Sequence, residues 1–179
     1  RGTPTLYYGD ELGMRDVAIP AESVRDPFEK NVPGLGVGRD PERTPMQWSA
    51  ERNAGFTSGV PWLPLDLEFP LINVEVQRSD PESMLSLYRN LIALRRSEPA
   101  LHLGSYEALE VGPEIYAFRR SHGDRRLGVF LNLTAAAREL RLPVQAPARV
   151  LLSTVSARTG TELTSGATLL ANEGVIAVL

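Results

Sequence analysis

The residues best suited to chemistry lie between Gly36 and Trp62. This segment contains the runs Gly-Arg-Asp-Pro-Glu-Arg-Thr-Pro-Met-Gln-Trp, Asn-Ala-Gly-Phe and Val-Pro-Trp, and is therefore dense in Arg, Asp, Asn and Trp. Sugar sites use these residue types, because planar donors and acceptors bind hydroxyl groups while aromatic faces pack on the apolar side of a pyranose ring. The same residues also suit a loop in which Trp48 and Trp62 pack on a core and the arginines pair with Asp40 and Glu42. Composition alone leaves both interpretations open.

Several other chemistries lack their residues. The chain has no cysteine, which excludes disulfides, thiolate metal sites and a cysteine nucleophile. His102 and His122 have no companion ligands at metal-binding spacing, so we predict neither a metal nor a cofactor. The glycine run 34–38 lacks the preceding strand and the Lys-Ser/Thr pair of a phosphate-binding loop, and no Gly-x-Ser-x-Gly elbow is present. The sequon at Asn132 falls in a predicted buried strand, so we attribute it to chance.

Charge and hydropathy restrict the partners. The 179 residues include 19 Lys plus Arg and 22 Asp plus Glu, with no basic stripe, so we predict no nucleic-acid partner. No apolar run approaches the roughly 18 residues of a membrane span, and the N-terminus lacks the features of a secretory signal. We therefore predict no membrane partner and a cytoplasmic location. A first residue other than Met leads us to expect a truncated chain.

The first half of the chain has few regular elements. Thr3–Tyr8 is rich in β-branched and aromatic residues and is predicted to be a strand. Residues 15–78 show neither a sustained helical periodicity nor a sustained alternation of apolar and polar residues. An irregular segment of this length indicates either a functional loop or an incomplete domain. Asp80 is then the predicted N-cap of a helix that ends at Pro99. This helix should bury one face formed by its apolar residues at helical spacing, which are Leu85, Tyr88, Leu91 and Ile92.

The second half of the chain reads as an antiparallel β domain. Short apolar runs recur at roughly ten-residue spacing with turn residues between them, as in a β-sandwich. The run 127–133 is nearly all apolar and should lie in the middle of the sheet. The predicted strands are Tyr106–Val111, Glu114–Arg120, Arg126–Leu133, Arg138–Leu142, Ala148–Ser153 and Val175–Leu179.

Specific motifs resemble those of a known family. The segment 2–14 (Gly-Thr-Pro-Thr-Leu-Tyr-Tyr-Gly-Asp-Glu-Leu-Gly-Met) resembles the region of the eighth barrel strand in the α-amylase superfamily of glycoside hydrolases, family 13. The motif 43–48 (Arg-Thr-Pro-Met-Gln-Trp), followed by Asn-Ala-Gly-Phe and Pro-Trp, is similar to the α-glucosidase, oligo-1,6-glucosidase and trehalose synthase branch. The resemblance is good as far as about residue 105 and weak beyond.

The resemblance implies a fold and a location for the catalytic residues. The fold class would be α/β plus all-β, with residues 1–99 forming the last strand, rim loop and last helix of an incomplete (β/α)8 barrel and residues 100–179 an antiparallel β-sandwich. The catalytic carboxylates of this retaining family lie on strands that would precede residue 1. We therefore predict no catalytic residue here and an inactive isolated chain, with Asp10 and Glu11 hydrogen-bonded to nearby backbone.

The resemblance also implies a substrate site. Arg43, helped by Arg39 and Asp40, would bind the hydroxyls of a terminal sugar in an oligosaccharide or α-glucoside, since a guanidinium is a rigid donor that stays charged. An ion pair that only organises the loop is the competing interpretation. Trp48 and Phe56 are predicted loop anchors. The partner would be the missing N-terminal barrel. Two alternative functions remain, which are a non-catalytic carbohydrate-binding or assembly module and part of a trehalose synthase-type transglycosylase.

Overall fold

The computed structural model describes residues 3–143 and 146–179. The described chain divides into two compact units, residues 3–88 and residues 89–179. The division that we predict at residues 99 and 100 stays a prediction. The predicted combination of helices with an antiparallel sheet is confirmed.

The first unit consists mainly of irregular backbone, as predicted for residues 15–78. The irregular backbone is interrupted by two short helices, which the sequence analysis missed. A longer helix begins near the end of the unit. Four 3₁₀ turns, Asp10–Leu12, Ala21–Ser23, Asp40–Arg43 and Arg52–Gly55, shape the rest. The helices are α1 (Pro27–Asn31), α2 (Val74–Ser79) and α3 (Met84–Ser97).

The predicted strand at Thr3–Tyr8 is wrong for this structure. Residues 3–8 are exposed and form no strand, and none of the other described residues up to 88 forms one either. A strand requires a neighbouring strand that accepts and donates the ladder hydrogen bonds. A composition rich in β-branched and aromatic residues is therefore not sufficient to make this segment a strand.

Helix α3 begins four residues after the N-cap predicted from the sequence. Ser83 is the N-cap, because its Oγ accepts a hydrogen bond from the Ser86 N–H at 3.2 Å and its carbonyl accepts from the Leu87 N–H at 3.0 Å. Asp80 caps the preceding turn, where its Oδ1 accepts from the Glu82 N–H at 2.9 Å. The predicted apolar face of α3 is only partly covered, since Leu91 and Ile92 remain 40% and 37% exposed.

The second unit contains all six predicted strands, with ends displaced by at most three residues, and two very short strands that were missed. Six strands form one antiparallel sheet in the order β1-β2-β3-β8-β5-β6, and β4 pairs with β7 in a separate ribbon. Helix α4 (Pro99–His102) precedes them. The strands are β1 (Ser105–Ala108), β2 (Ile115–His122), β3 (Arg125–Asn132), β4 (Arg138–Leu140), β5 (Ala148–Ser153), β6 (Glu162–Leu163), β7 (Ala167–Leu169) and β8 (Gly174–Val178).

The larger sheet is covered on both faces, which explains the apolar run in β3. Phe130 points into a cluster that also contains Leu140 and Leu169 of the β4–β7 ribbon. Leu127 and Val129 point to the opposite face, where Ala100 and Leu101 of α4 pack. Strand β3 therefore lies between β2 and β8 and is buried on two sides, as predicted for the run 127–133. The two sheets differ in size, with six strands in one and two in the other, and one face of the larger sheet contacts helices.

Asn132 is part of the structure of this unit. It is fully buried, and its Nδ2 donates to the carbonyls of Ala136 at 2.8 Å and Leu170 at 2.7 Å. Its Oδ1 accepts from the N–H and the hydroxyl of Thr134. A side-chain amide with this burial and these partners is inaccessible to a glycosyl donor, in agreement with the sequence analysis.

Candidate functional site

The candidate site is built around a buried carboxylate, Asp26. Its Oδ1 accepts hydrogen bonds from the Phe28 N–H at 3.0 Å and from Nη2 of Arg39 at 3.1 Å. Its Oδ2 accepts from the Arg39 N–H at 2.9 Å and from Arg39 Nε at 2.8 Å. The bond to Phe28 makes Asp26 the N-cap of α1, with Pro27 at the first helical position. One side chain thus begins a helix and fixes the segment before the Asp40–Arg43 turn.

The hydrogen bonds keep Asp26 charged. The side chain of Arg39, followed by the Phe28 and Arg39 N–H groups, holds the pKa of Asp26 well below its usual range, although burial opposes the shift. The same pairing raises the pKa of Arg39. The guanidinium of Arg39 also lies over the Phe28 ring, 5.2 Å from its centroid, in a cation–π contact. Arg39 is therefore held at two points within the loop.

Asp40 connects the same two segments from the other side. It is almost fully buried, and its Oδ2 accepts from the Arg25 N–H at 2.5 Å and the Asp26 N–H at 2.7 Å. The arginines pair with Asp26, whereas the anchored-loop interpretation had paired them with Asp40 and Glu42. The sequence analysis missed Asp26, although Asp-Pro followed by Glu29 is a helix N-cap signature that could have identified it.

Arg43 is held less tightly than Arg39. Its Nη1 lies 3.7 Å from Asp26 Oδ2, which is an ion-pair distance beyond hydrogen-bond range, and its side chain is 39% exposed. It lines a cavity of about 440 Å³, together with four other residues of the 43–48 motif and four aromatic or carboxylic residues from outside the motif. The other lining residues are Tyr8, Glu11, Thr44, Pro45, Met46, Trp48, Phe56 and Trp62.

The aromatic residues of this cavity are substantially exposed. Trp48 and Phe56 are each 50% exposed and Trp62 is 74% exposed. Trp48 and Phe56 are thus half-buried within this chain, and their role as loop anchors stays a prediction. Exposed aromatic faces beside a guanidinium are suited to binding a sugar.

The backbone itself holds this loop in place. Asn53, Ala54 and Gly55 are consecutive left-handed residues, with φ of 56°, 55° and 66°. This turn lets the Ala54 carbonyl accept hydrogen bonds from the N–H groups of Trp48 at 2.8 Å and Ser49 at 3.1 Å. Left-handed backbone is tolerated by Asn and Gly but is strained at Ala. The Asn-Ala-Gly-Phe motif therefore has a local role, which is to fold the chain back onto Trp48.

Tyr8 forms one wall of the cavity. Its hydroxyl donates to the Thr44 carbonyl at 2.9 Å and so ties the N-terminal segment to the 43–48 motif. Burial raises the pKa of Tyr8, and the nearby Tyr7 adds to this, while Arg43 acts in the opposite direction. The Tyr8 phenol therefore stays protonated and remains a hydrogen-bond donor.

Asp10 and Glu11 have structural roles, as predicted. Asp10 Oδ2 accepts from the Tyr7 N–H at 3.0 Å, and Glu11 Oε2 accepts from the Gly9 N–H at 2.8 Å. Glu11 is the one acid in the described lining of the cavity. Retaining glycosidases need two carboxyl groups about 5 Å apart, and the described lining of the cavity contains one.

A second cavity of about 590 Å³ lies beside the glycine run 34–38. Glu29 Oε1 accepts from the Gly34 N–H at 2.8 Å. A Cβ on Gly38 would lie 2.8 Å from the Glu29 Cβ, so this glycine permits a close approach of the loop to α1. The run therefore has a packing role. Within residues 3–143 and 146–179, no group of three or more potential metal ligands is assembled and no helix is long and apolar enough to cross a membrane.

Comparisons with known proteins identify the family of this chain. Residues 1–104 match the family described as alpha amylase, catalytic domain, and the chain therefore belongs to the alpha-amylase family. Among curated relatives, the oligo-1,6-glucosidase of Parageobacillus thermoglucosidasius is 36% identical over 162 residues, covering 80% of this chain and 29% of that protein. The trehalose-6-phosphate hydrolase of Escherichia coli is 38% identical over 152 residues, covering 75% of this chain and 28% of that protein.

Solved structures give the same relationship over the whole chain. A crystal structure of the trehalulose synthase MutB from Pseudomonas mesoacidophila has a TM-score of 0.85 and 31% identity, covering 99% of this chain and 36% of that chain. A MutB mutant in complex with glucose is also 31% identical, with a TM-score of 0.86. The chain thus spans less than a third of the length of these curated relatives and about a third of these solved chains.

Proposed function

We propose that this chain is the C-terminal part of an α-glucosidase-like glycoside hydrolase that cleaves α-glucosidic bonds of oligosaccharides with retention of configuration. In this proposal the preceding part of the protein, which we call the N-terminal barrel, supplies the catalytic carboxylates. Residues 100–179 would be the C-terminal β-sandwich domain of the family. The relatives' length supports the proposal, since the matching region is about three tenths of the oligo-1,6-glucosidase. A cytoplasmic location remains a prediction.

The observation that carries the proposal is the position of Arg43 in the 440 Å³ cavity. The guanidinium is a donor that cannot deprotonate, Asp26 restrains it, and Trp48 and Trp62 present exposed rings beside it. We propose that Arg43 donates to hydroxyls of the terminal sugar. Arg39 and Asp40 help indirectly, because their hydrogen bonds with residues 25 and 26 fix the turn that presents Arg43.

The proposal is tested on the complete protein, made by joining this chain to its N-terminal barrel. It should hydrolyse p-nitrophenyl α-glucoside, and proton NMR should show α-glucose as the first product. The carboxylate displaces p-nitrophenol to form a covalent glycosyl-enzyme, water then displaces the carboxylate, and the two inversions at the anomeric carbon give net retention. Replacement of Arg43 by Gln should raise KM. First-formed β-glucose would contradict the retaining mechanism, and no turnover of maltose, isomaltose or the chromogenic glucoside would contradict the hydrolase proposal.

A transglycosylase is the second candidate, and the similarity to trehalulose synthase MutB favours it. Both functions would use the same rim, so the products distinguish them. Chromatography of a reaction with a disaccharide substrate should show free glucose as the main product of a hydrolase. A rearranged disaccharide as the main product would favour the transglycosylase.

A non-catalytic carbohydrate-binding module is the remaining alternative, which the separate apolar core of the second unit favours. Titration calorimetry of the 179-residue chain with maltose and isomaltose separates the two. Our proposal expects binding too weak to measure without the N-terminal barrel. Clear saturable binding by the chain alone would favour the module.

A further inference from the structure

We propose that an aromatic patch on the second unit, formed by Tyr106, Tyr116 and Phe118, is the surface on which the N-terminal barrel docks. This inference rests on the proposed function, because it names the contact surface for the partner that the proposal invokes. Tyr106 is 38% exposed and Tyr116 is 52% exposed. Aromatic side chains are enriched in protein interfaces, and a cluster of them left uncovered points to a partner.

The three rings form one preformed cluster. The ring centroids of Tyr106 and Phe118 lie 5.2 Å apart with their planes 28° from parallel, and those of Tyr116 and Phe118 lie 5.8 Å apart. The hydroxyl oxygens of Tyr106 and Tyr116 lie 3.0 Å apart and share a hydrogen bond. Side chains that already hold one another in place lose less conformational entropy when a partner covers them. The patch is therefore organised for contact before a partner binds.

The chemistry of the patch suits a protein partner. The hydrogen bond with Tyr116 raises the pKa of Tyr106, so this phenol is neutral at physiological pH. One of the two hydroxyls donates the shared bond, and the other keeps its O–H for an acceptor on the partner. A neutral surface can be buried without the cost of removing a charge from water. An apolar protein surface that offers one nearby oxygen acceptor fits this arrangement.

The patch lies on the face of the larger sheet that α4 covers in part. Phe118 is opposite Val129 in the register of β2 and β3, and Tyr116 is opposite Leu131, so these four residues share a face. Val129 belongs to the buried cluster that includes residues of α4, and Phe118 and Leu131 pack against that cluster. The uncovered tyrosines therefore continue the surface on which α4 packs.

The family match indicates what covers the rest of this face. Residues 1–104 match the catalytic domain, so α3 and α4 belong to that domain, and it already contacts the sheet through α4. The chain covers 29% of the oligo-1,6-glucosidase, so in the proposed function the N-terminal barrel supplies most of the catalytic domain. Helix α3 also leaves Leu91 and Ile92 exposed, as expected of a helix whose neighbouring elements belong to the barrel. The occupant is therefore the N-terminal barrel, and not a sugar or a second copy of this chain.

Hydroxyl-radical footprinting with mass spectrometry tests this inference without depending on turnover. The labelling rate of each side chain is compared between the 179-residue chain and the complete protein. Tyr106 and Tyr116 should be labelled several-fold more slowly in the complete protein, because the barrel covers them. Leu170 is the matched control, because it is 47% exposed and directly follows β7 of the ribbon, and its labelling rate should be the same in both proteins.

A pair of variants tests whether the covered ring contributes to stability. In the 179-residue chain the Tyr116 ring is half exposed, so Y116A should shift the midpoint of denaturant unfolding only slightly. In the complete protein the same change should lower the midpoint clearly more, because the ring is then buried against the barrel. L170A should shift the two midpoints equally. Equal shifts for Y116A as well would contradict the inference, and misfolding of Y116A would leave the footprinting of the unaltered proteins as the test.

The outcomes separate this inference from the proposed function. Protected tyrosines in a complete protein that turns over no glucoside support the docking surface and overturn the hydrolase proposal. Turnover with tyrosines that are labelled equally in both proteins overturns the docking surface alone. Labelling that falls only when maltose is added, or only as the concentration of the chain is raised, identifies a sugar site or a second copy and also overturns it.

Discussion

The two units of this chain are stabilised in different ways. In residues 3–88 an apolar cluster contains four buried side chains, while buried polar groups such as Asp26, Asp40, Gln47 and Asn73 connect the segments. In residues 89–179 two clusters of twelve and five buried side chains lie on the two faces of one sheet. Hydrogen bonds and ion pairs give the first unit its shape, and apolar burial gives the second unit its stability.

The difference shows which unit should be self-sufficient. Gln47 is fully buried, and among the described residues neither its Nε2 nor its Oε1 has a hydrogen-bond partner. A buried amide without partners costs about 1–3 kcal/mol. The described part of the second unit satisfies its buried amide, because Asn132 uses both ends of its side chain. We therefore expect the second unit to unfold cooperatively and the first to be less stable.

The largest effect is expected in the core of the second unit. Leu140 is fully buried between the ribbon and the larger sheet, so L140A should lower the free energy of unfolding by about 2–5 kcal/mol through lost transfer energy and the cavity left behind. Leu133 provides a matched control because it is 72% exposed, and L133A should change stability by less than about 0.5 kcal/mol. Denaturant unfolding followed by circular dichroism measures both. Equal effects would contradict the assignment of this core.

Removing the buried amide of the second unit should have a smaller effect. In N132A the Ala136 and Leu170 carbonyls lose their shared donor, which should cost about 1–3 kcal/mol. Asn90 is exposed on α3, so N90A should be neutral or slightly stabilising. The same denaturant titration tests this pair, and a neutral N132A would show that the amide does not organise these loops.

Acid should loosen the first unit through Asp26. The folded pKa of Asp26 lies well below its unfolded value of about 3.9, so its contribution to stability is complete above that value and is lost as the pH falls through the folded pKa. Both tryptophans, Trp48 and Trp62, lie in this unit, so their fluorescence reports on it. We expect D26N to alter the emission already at neutral pH and to flatten its change below about pH 4. Identical acid titrations of D26N and the unaltered chain would contradict this role.

The smallest effect is expected at the left-handed turn. Ala54 has a φ of 55°, a conformation that costs an L-residue about 1–2 kcal/mol but not glycine. A54G relieves this strain but adds freedom to the unfolded chain, so stability should rise by at most about 1 kcal/mol. Thermal unfolding followed by tryptophan fluorescence measures the change. A marked loss of stability would show that the buried Ala54 methyl group matters more than the backbone.

The sequence predicted the β unit well because its signals are local. Strands such as β3 and β5 are apolar runs between turn residues, and burial on two faces leaves a continuous run that is easily recognised. Strands β6 and β7 were missed because two or three residues are too few to show alternation. Thr3–Tyr8 was mistaken for a strand because its composition fits one, whereas a strand also depends on a neighbour that sequence order does not reveal.

The candidate site was predictable only in part. The Arg43 motif and its aromatic neighbours were found because rare residue types cluster in sequence. Asp26 was missed because it lies 13 residues before Arg39, and the pairing depends on the fold of irregular backbone between them. Asp40 was assigned as a helper from its position beside Arg39, although its carboxylate bonds to backbone N–H groups of residues 25 and 26.

The central claim is that these residues bind the sugar and that the acids which cleave the bond lie elsewhere. The most direct measurement is turnover of p-nitrophenyl α-glucoside by the purified 179-residue chain, with and without the separately produced N-terminal barrel. We predict no turnover by the chain alone and recovery of turnover when the barrel is added. Turnover by the chain alone that persists through repurification would contradict the claim.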